Sequence, residues 1–200
     1  ELEFASIKLL SSEKPKIHFP EIEYVEIPKI DINGYNKIMI NDLWKYFDTS
    51  HCLVVQSDSF VVNPSQWSHE FLKYDYIGAP WTKIIKPKKD LEIELKKNRV
   101  GNGGFSLRSK KFALATKNID LLKLNFPLLT EDVIMCHYLY DDLLTQDINF
   151  APIELAAKFS LEHVETNKEF GINNENVFGF HGKHLRRYFK DRFKNIKKNK

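Results

Sequence analysis

Alternating apolar and polar positions at residues 22–27 predict a β-strand near the start of the chain. The apolar run at 53–55 predicts a central strand covered on both faces. Residues 35–47 instead place their apolar side chains at helical spacing. The remaining pattern predicts strands over 4–10, 74–77, 105–108 and 177–180, and helices over 64–72, 110–117, 130–140 and within 150–159.

Three segments carry a weaker pattern. Residues 82–98 are rich in Lys, and we expect an irregular surface loop with a helical turn near 91–95. Residues 167–176 are predicted to be a polar loop, and residues 184–196 a basic helix. Because strands and helices alternate, we predict one α/β domain over 1–182, followed by a basic tail over 183–200.

The charge of the chain is unevenly distributed. Its formal net charge is +3, but residues 183–200 hold nine Lys or Arg and one acid, so the remainder carries −5. A nucleic-acid-binding core would carry its basic residues on the folded face, so this distribution argues against one. No apolar run reaches the ~20 residues of a membrane span, and the start of the chain does not resemble a signal peptide, which predicts a cytoplasmic protein. Cys52 and Cys136 lie in apolar segments and are predicted to be free thiols.

Candidate chemistry begins where the apolar strand 53–55 ends. The next residues are Gln56, Ser57 and Asp58. In α/β sheets ligands bind off the carboxyl ends of the strands, and Mg²⁺ or Mn²⁺ prefers carboxylate and phosphate oxygens. Asp58 is therefore a candidate metal ligand; the alternative is a side chain that caps the following turn.

Glycine is concentrated just before the strand 105–108. Gly101, Gly103 and Gly104 surround Asn102, and the missing side chains allow a ligand to approach the backbone closely. Asn102 adds an amide to the same segment. The alternative is a tight turn or a bulge with no ligand.

Two further segments carry ionisable groups. Glu131 and Asp132 stand at a predicted helix start, with Thr130 as its N-cap, where the helix dipole favours the ionised form that a general base needs. His181 follows the last predicted strand and could ligate a metal, and Lys183 could neutralise phosphate. The alternatives are ordinary helix-start acids and a structural histidine. We expect all four segments to lie at the same edge of one sheet.

These motifs together resemble a known family. The relevant segments are residues 54–58, 75–81, 100–109 and 131–133, and the sequence of residues 101–108, Gly-Asn-Gly-Gly-Phe-Ser-Leu-Arg, is the most specific of them. They resemble the DUF5672-type glycosyltransferases found beside surface-polysaccharide genes, and the resemblance spans about residues 4–181. It implies a GT-A-like (Rossmann-like) fold, with a central mixed sheet flanked by helices.

The resemblance also implies roles for the candidate residues. Asp58 and His181 would hold Mn²⁺ or Mg²⁺, and Asp132, supported by Glu131, would take the proton from the acceptor hydroxyl. Donor and substrate binding would fall to Gln56, Ser57, Asn102, Gly103, Gly104, Trp81 and Lys183.

The chain departs from the implied pattern in three ways. Gln56 replaces the first acid of an Asp-x-Asp motif, and Ser59 stands where the family has Gly. The first strand–helix unit of a GT-A domain is not recognisable, and we expect a chain trimmed from a longer one, a different base pocket or a copy that binds no nucleotide.

The predicted function is an inverting, hexosyltransferase-like transfer from a nucleotide-sugar, with a UDP-sugar favoured. The acceptor would be a saccharide, lipid-linked or protein hydroxyl. One alternative is a non-catalytic sugar- or nucleotide-binding module of the same shape. Another follows from the tail, whose apolar positions among basic residues fit a nucleic-acid or scaffold protein, or a helix in peripheral contact with a membrane. A packed last helix with a solvated Lys tail explains the same pattern.

Overall fold

A computed structural model describes residues 2–124, 126–127 and 129–189. The strands in these residues are β1 (Ile7–Ser11), β2 (Ile22–Glu26), β3 (His51–Val55), β4 (Ser59–Val61), β5 (Tyr76–Gly78), β6 (Ile84–Lys88), β7 (Leu91–Glu94), β8 (Phe105–Ser109), β9 (Ser160–Leu161) and β10 (Gly179–His181). The α-helices are α1 (Ile32–Lys37), α2 (Lys110–Thr116), α3 (Glu131–Val133), α4 (Tyr140–Thr145), α5 (Ile153–Phe159) and α6 (Val164–Glu169).

The strands form several small sheets instead of the one central sheet that we predicted. One sheet has the order β3-β8-β5, with β8 antiparallel to both neighbours, and a second, mixed sheet has the order β4-β10-β9. Two further pairs are β1-β2, which is parallel, and β6-β7, which is antiparallel. The α/β class is therefore confirmed, whereas a single GT-A sheet is not seen.

An aromatic cluster packs the two three-stranded sheets against each other. Phe105 starts β8, Phe159 ends α5, Phe178 precedes β10, and Phe71 lies beneath them, with ring centroids 5.2–6.2 Å apart. All four side chains are almost completely buried. A Cβ at Gly179 would lie 2.2 Å from the Phe105 ring, so β10 can approach β8 only with glycine at that position.

Side-chain caps fix the start of two helices. The Ser109 hydroxyl accepts the backbone N–H of Phe112 at the start of α2, as expected of an N-cap. The predicted helix 35–47 starts earlier, at α1, because the Asp31 carboxylate accepts the N–H of Gly34. It continues as a π-helical turn, Ile38–Asp42, and a 3₁₀ turn, Leu43–Lys45. Helix α3 likewise continues as a π-helical turn, Ile134–Tyr138, but the Thr130 side chain makes no capping bond.

The prediction of an irregular loop over 82–98 is wrong. Strands β6 and β7 form a hairpin there, because Leu91 and Ile93 alternate with Glu92 and Glu94 and so present one face to the core. Dense charge on the other face concealed this alternation.

Two other predicted elements also differ from the structure. The helix predicted over 64–72 is instead two 3₁₀ turns, Pro64–Gln66 and His69–Lys73. Extended backbone at Trp67 separates them, and the capping hydroxyl is that of Ser68. The polar loop predicted over 167–176 begins inside α6.

The start of the basic tail packs against the domain. Lys183–Arg187 forms a 3₁₀ turn, the Leu185 side chain is fully buried, and Phe189 stacks on Phe180 with ring centroids 4.9 Å apart. Residues 190–200 of the predicted helix lie outside the described residues. No helix in the described ranges has the length and apolarity needed to cross a bilayer.

Candidate active site

The four candidate segments come together where the two three-stranded sheets meet. The backbone N–H of Gln56, just after β3, donates to the carbonyl of Gly104, just before β8, at 2.9 Å. The buried Ser59 hydroxyl donates to the same carbonyl at 2.7 Å. Because β3 and β8 are antiparallel, the end of one strand lies beside the start of the other. The predicted proximity of these segments is confirmed, although two sheets and not one supply the edge.

The glycine segment, residues 101–104, is packed so tightly that no Cβ fits at any of its three glycines, whereas Asn102 keeps a buried side chain. A Cβ at Gly103 would lie 1.9 Å from Glu131 Oε1, and a Cβ at Gly104 would lie 2.3 Å from the His181 ring. A Cβ at Gly101 would enter the Trp81 ring at 2.1 Å. The glycines are required by close approach of protein groups, and the segment is fixed on several sides.

Arg108 is the most deeply placed charge near the site. Its side chain is 0% exposed, and Nη2 donates to Glu131 Oε1 at 2.8 Å and to the Gly103 carbonyl at 3.4 Å. Its guanidinium also lies 5.3 Å from the centre of the Tyr76 ring. Arg108 therefore links strand β8, the glycine segment and helix α3.

Glu131 faces this arginine and is removed from solvent. Its side chain is 3% exposed. Burial, followed by the neighbouring Asp132 carboxylate, raises the pKa of Glu131 to about 7, although Arg108 lowers it. The structure thus places Glu131 in an internal ion pair with Arg108, and its predicted support of Asp132 stays a prediction.

Asp132 points the other way, to the backbone of the glycine segment. Its Oδ2 accepts the N–H of Gly103 at 2.9 Å, and its Oδ1 accepts the N–H of Val133 at 2.8 Å. The residue is only half-buried, but both of its carboxylate oxygens already accept backbone N–H groups. Its predicted role as a base stays a prediction.

Asp58 and His181, the two predicted metal ligands, meet at this edge. His181 Nε2 lies 3.5 Å from Asp58 Oδ1, and their side chains are 19% and 22% exposed. The turn after His181 is held by a bond from the Gly182 N–H to the Asp58 carbonyl at 3.1 Å. Gly182 has φ 114°, a conformation that favours glycine.

The Nδ1 side of the His181 ring faces Asn102 and Glu162. Glu162 was not among the predicted site residues. Nδ1 lies 2.8 Å from Asn102 Nδ2 and 3.4 Å from Glu162 Oε1. Burial lowers the pKa of His181, but Glu162 and Asp58 raise it by more, so the net shift is upward. Glu162 directly follows β9, and the rule that singled out Asp58 after β3 would have identified it.

The other predicted donor-binding residues lie around this centre. Gln56 donates from Nε2 to the Tyr35 hydroxyl, and burial raises the pKa of that phenol. Ser57 and Lys183 are exposed, and the Ser57 carbonyl accepts Arg186 Nη2 at 2.9 Å. Trp81 is 5% exposed and packs on Gly101, as core packing predicts.

The described residues contain no cluster of three or more His, Cys, Asp or Glu side chains that could hold a metal ion. A cavity of about 670 Å³ opens elsewhere, lined by residues that include Tyr74, Arg99, Phe150 and Phe170. None of the predicted site residues lines it. A metal at Asp58 and His181 would need a further ligand from outside the protein.

Fold and site together define a mixed α/β protein whose polar side chains surround a glycine segment. The family described as "Protein of unknown function (DUF5672)" matches residues 20–181. The chain belongs to this family, which confirms the family resemblance of the sequence motifs. No curated protein and no solved structure matches the chain.

Proposed function

We propose that the chain is a glycosyltransferase that moves a sugar from a nucleotide-sugar to an acceptor hydroxyl with the help of Mn²⁺ or Mg²⁺. The observation that carries the proposal is the meeting of Asp58 and His181 beside the glycine segment, at 3.5 Å. Asp58 lies in the turn between β3 and β4, and His181 ends β10. Their meeting with a base candidate, Asp132, at one backbone segment suits a reaction between two bound substrates.

Asp58 and His181 are compatible with two ligands of one divalent ion. Two ligands that each bind one ion at about 2.1 Å lie within about 4 Å of each other, and the observed separation falls inside that limit. A carboxylate and an imidazole suit Mn²⁺, and phosphates commonly supply the remaining ligands of such ions. The ion, when bound, would neutralise the charge that develops on a leaving diphosphate.

In the proposed reaction Asp132 acts on the acceptor. The acceptor hydroxyl oxygen forms a bond to the anomeric carbon, the bond from that carbon to the diphosphate oxygen breaks, and the hydroxyl proton passes to the Asp132 carboxylate. Because one base candidate stands at the site, the proposal favours inversion. The Gly103–Gly104 backbone, which lacks side chains, would lie against the donor, with Ser57 and Lys183 at its outer rim.

The first experiment is calorimetric titration with UDP, GDP, CDP and their sugars, with and without Mn²⁺. We expect one nucleotide to bind in a Mn²⁺-dependent manner and Asp58→Ala to abolish the binding. Asp90→Ala, in the exposed β6–β7 turn, is the matched control and should bind as the wild type does. If none of the nucleotides binds, or if Asp58→Ala binds as tightly as the control, the proposal is wrong.

A second candidate is a sugar- or nucleotide-binding module without catalysis. It is favoured by Asp132, both of whose carboxylate oxygens already accept backbone N–H groups, and by Gln56 in place of a second acid. This candidate predicts binding that is indifferent to metal and no transfer or hydrolysis of the sugar. An assay for released nucleoside diphosphate separates the two functions.

A further inference from the structure

The cavity outside the candidate active site has the size of a ligand pocket. Its volume of about 670 Å³ lies within the usual range for sites that hold small molecules. Four half-buried aromatic side chains line it, those of Tyr74, Tyr140, Phe150 and Phe170. Tyr74 and Phe150 pack on the main core, whereas Tyr140 and Phe170 belong to none of the core clusters of the described residues. The cavity therefore has aromatic surface that the core does not use.

Arg99 and Glu169 form a planar ion pair in the wall of this cavity. The guanidinium Nη1 and Nη2 donate to Glu169 Oε1 and Oε2 at 3.0 Å each, and Nε donates to the Trp81 carbonyl at 3.0 Å. These bonds use three of the five N–H groups of a guanidinium, and two remain. The carboxylate oxygens also keep further lone pairs. A fixed pair of this kind offers a ligand both donors and acceptors in one plane.

The positive charges around the cavity are balanced by neighbouring acids. Lys96 pairs with Glu94 at 3.2 Å, and Lys97 pairs with Asp141. The arginine pair adds one charge of each sign. These charges sum to zero, so the wall has no net charge that would attract an anion. The lining therefore favours a neutral ligand over a phosphate or a carboxylate.

A second cavity, of about 230 Å³, shares a wall with the first. Residues 96–98 and Tyr140 line both cavities. A ligand made of several linked units can therefore occupy the first cavity and continue along Tyr140 into the second.

A neutral sugar has the chemistry that this lining fits. One face of a pyranose ring carries C–H groups, which pack on an aromatic ring, and each hydroxyl both donates and accepts hydrogen bonds. A wholly apolar ligand would instead bury the Arg99–Glu169 pair without bonding to it, which costs free energy. Phe170 directly follows Glu169, and its ring centre lies 5.8 Å from the Arg99 guanidinium carbon. The ring and the ion pair are therefore close enough to contact the same sugar unit.

We propose that this cavity is a binding site for a neutral oligosaccharide. One pyranose unit lies against Phe170, two adjacent hydroxyls bond to the Arg99–Glu169 pair, and a further unit lies at Tyr140. The site is separate from the one at which transfer is proposed, because none of the predicted site residues lines it. The inference therefore does not depend on the proposed function.

The first test locates the ligand by NMR. The ¹⁵N-labelled chain is titrated with cellohexaose, maltohexaose, mannohexaose and xylohexaose at millimolar concentration, without added metal. We expect at least one of these neutral chains to shift the amide signals of Arg99 and Phe170 and to leave those of Gly103 and Gly104 unchanged. If none of them shifts the Arg99 and Phe170 signals, the proposal is wrong.

The second test removes the aromatic ring. Phe170→Ala should weaken binding of the same oligosaccharide by about 10-fold, because the stacking partner is lost. Phe170→Tyr keeps the ring and should bind as the wild type does. Tyr188→Ala, which removes an exposed ring that does not line the cavity, is the matched control, and urea unfolding shows that each variant is folded. Equal affinity of Phe170→Ala and the control would overturn the proposal.

A third variant separates recognition of hydroxyls from attraction to charge. Arg99→Lys keeps the positive charge but lacks the planar fork, so we expect it to lose affinity for the oligosaccharide. Affinity equal to that of the wild type would contradict the role of the ion pair.

UDP serves as the anionic probe, since a nucleotide also combines a flat ring with polar groups. If UDP shifts the Arg99 and Phe170 signals and the neutral chains do not, the cavity binds a nucleotide and the proposal is wrong. UDP shifts confined to residues 103–104, together with oligosaccharide shifts at Arg99 and Phe170, would support two separate sites. Oligosaccharide binding in a chain that binds no UDP would leave this inference standing while the proposed function fails.

Discussion

The adjacent carboxylates of Glu131 and Asp132 serve different partners. Glu131 forms a buried ion pair with Arg108 at 2.8 Å, whereas Asp132 accepts the backbone N–H of Gly103 at 2.9 Å. The Arg108 guanidinium also donates to the Gly103 carbonyl. The N–H and the carbonyl of Gly103 are therefore each bonded to a charged side chain. Glu131 therefore belongs to a buried ion pair, whereas Asp132 is bonded to the backbone.

Replacing Arg108 by Met should destabilise the chain by about 3–5 kcal/mol, because it leaves the Glu131 charge buried without a partner. The free energy of unfolding in urea measures this. The double variant Arg108→Met, Glu131→Leu should recover much of the loss, since neither charge remains. A single variant as stable as the wild type would contradict the ion pair as a structural link.

Replacing Asp132 by Asn should reduce the rate of sugar transfer by about 10²- to 10⁴-fold and leave nucleotide affinity unchanged. The reason is that Asn keeps the size of the side chain but cannot take a proton from the acceptor. Asp142→Asn, an exposed acid of α4, is the control and should react at the wild-type rate. Turnover near the wild-type rate in Asp132→Asn would exclude the base role.

Replacing Gly104 by Ala should abolish Mn²⁺ binding and also lower the free energy of unfolding. The added methyl would lie 2.3 Å from the His181 ring and 2.8 Å from Gln56 Oε1, and the ring would have to move. Gly171→Ala is an informative control, because its φ of 68° makes Ala costly by about 1–3 kcal/mol while nothing lies within 4 Å. The control should lose stability and keep Mn²⁺ binding. If Gly104→Ala bound Mn²⁺ as the wild type does and Gly171→Ala did not, the metal site would lie elsewhere.

The stability of the metal-free chain should depend on pH through His181. Its folded-state pKa lies above the ordinary value of 6.5, because the neighbouring acids outweigh burial. Protonated His181 therefore stabilises the fold fully below about pH 6.5, and this contribution is lost as pH rises through the folded pKa. The difference in unfolding free energy between the wild type and His181→Gln should shrink over that range. Asp58→Asn should lower the His181 pKa in an NMR titration.

The gathering of the site could be predicted from sequence because strand ends and glycines are local signals. The apolar run at 53–55 is followed within three residues by Asp58, and the glycines are concentrated at 101–104. The two segments lie side by side, joined by the bond from the Gln56 N–H to the Gly104 carbonyl. The start of α2 was also predictable from a local signal, because Ser109 directly precedes the helix and its hydroxyl caps it.

The remaining features depend on pairing between distant segments. The packing of the two three-stranded sheets includes a Phe105–Phe178 contact, which joins segments far apart in sequence and which no local pattern predicts. Arg108 is an apparently exposed residue type in a strand, and its burial depends on Glu131, which lies on another element. The β6–β7 hairpin was not predicted because the many charged residues obscured the alternation of apolar and polar positions. Glu162 was not predicted because the strand before it, β9, is only two residues long.

The lack of room for a Cβ at Gly101, Gly103 and Gly104 separates the parts of this site that can change from the parts that cannot. A substitution there is transmitted at once to Glu131, His181 or Trp81, so it alters folding and binding together. Variation that tunes what the protein recognises has to occur at the rim, where Ser57 and Lys183 are exposed. A library built to change ligand preference should therefore randomise those two positions and leave the glycines untouched.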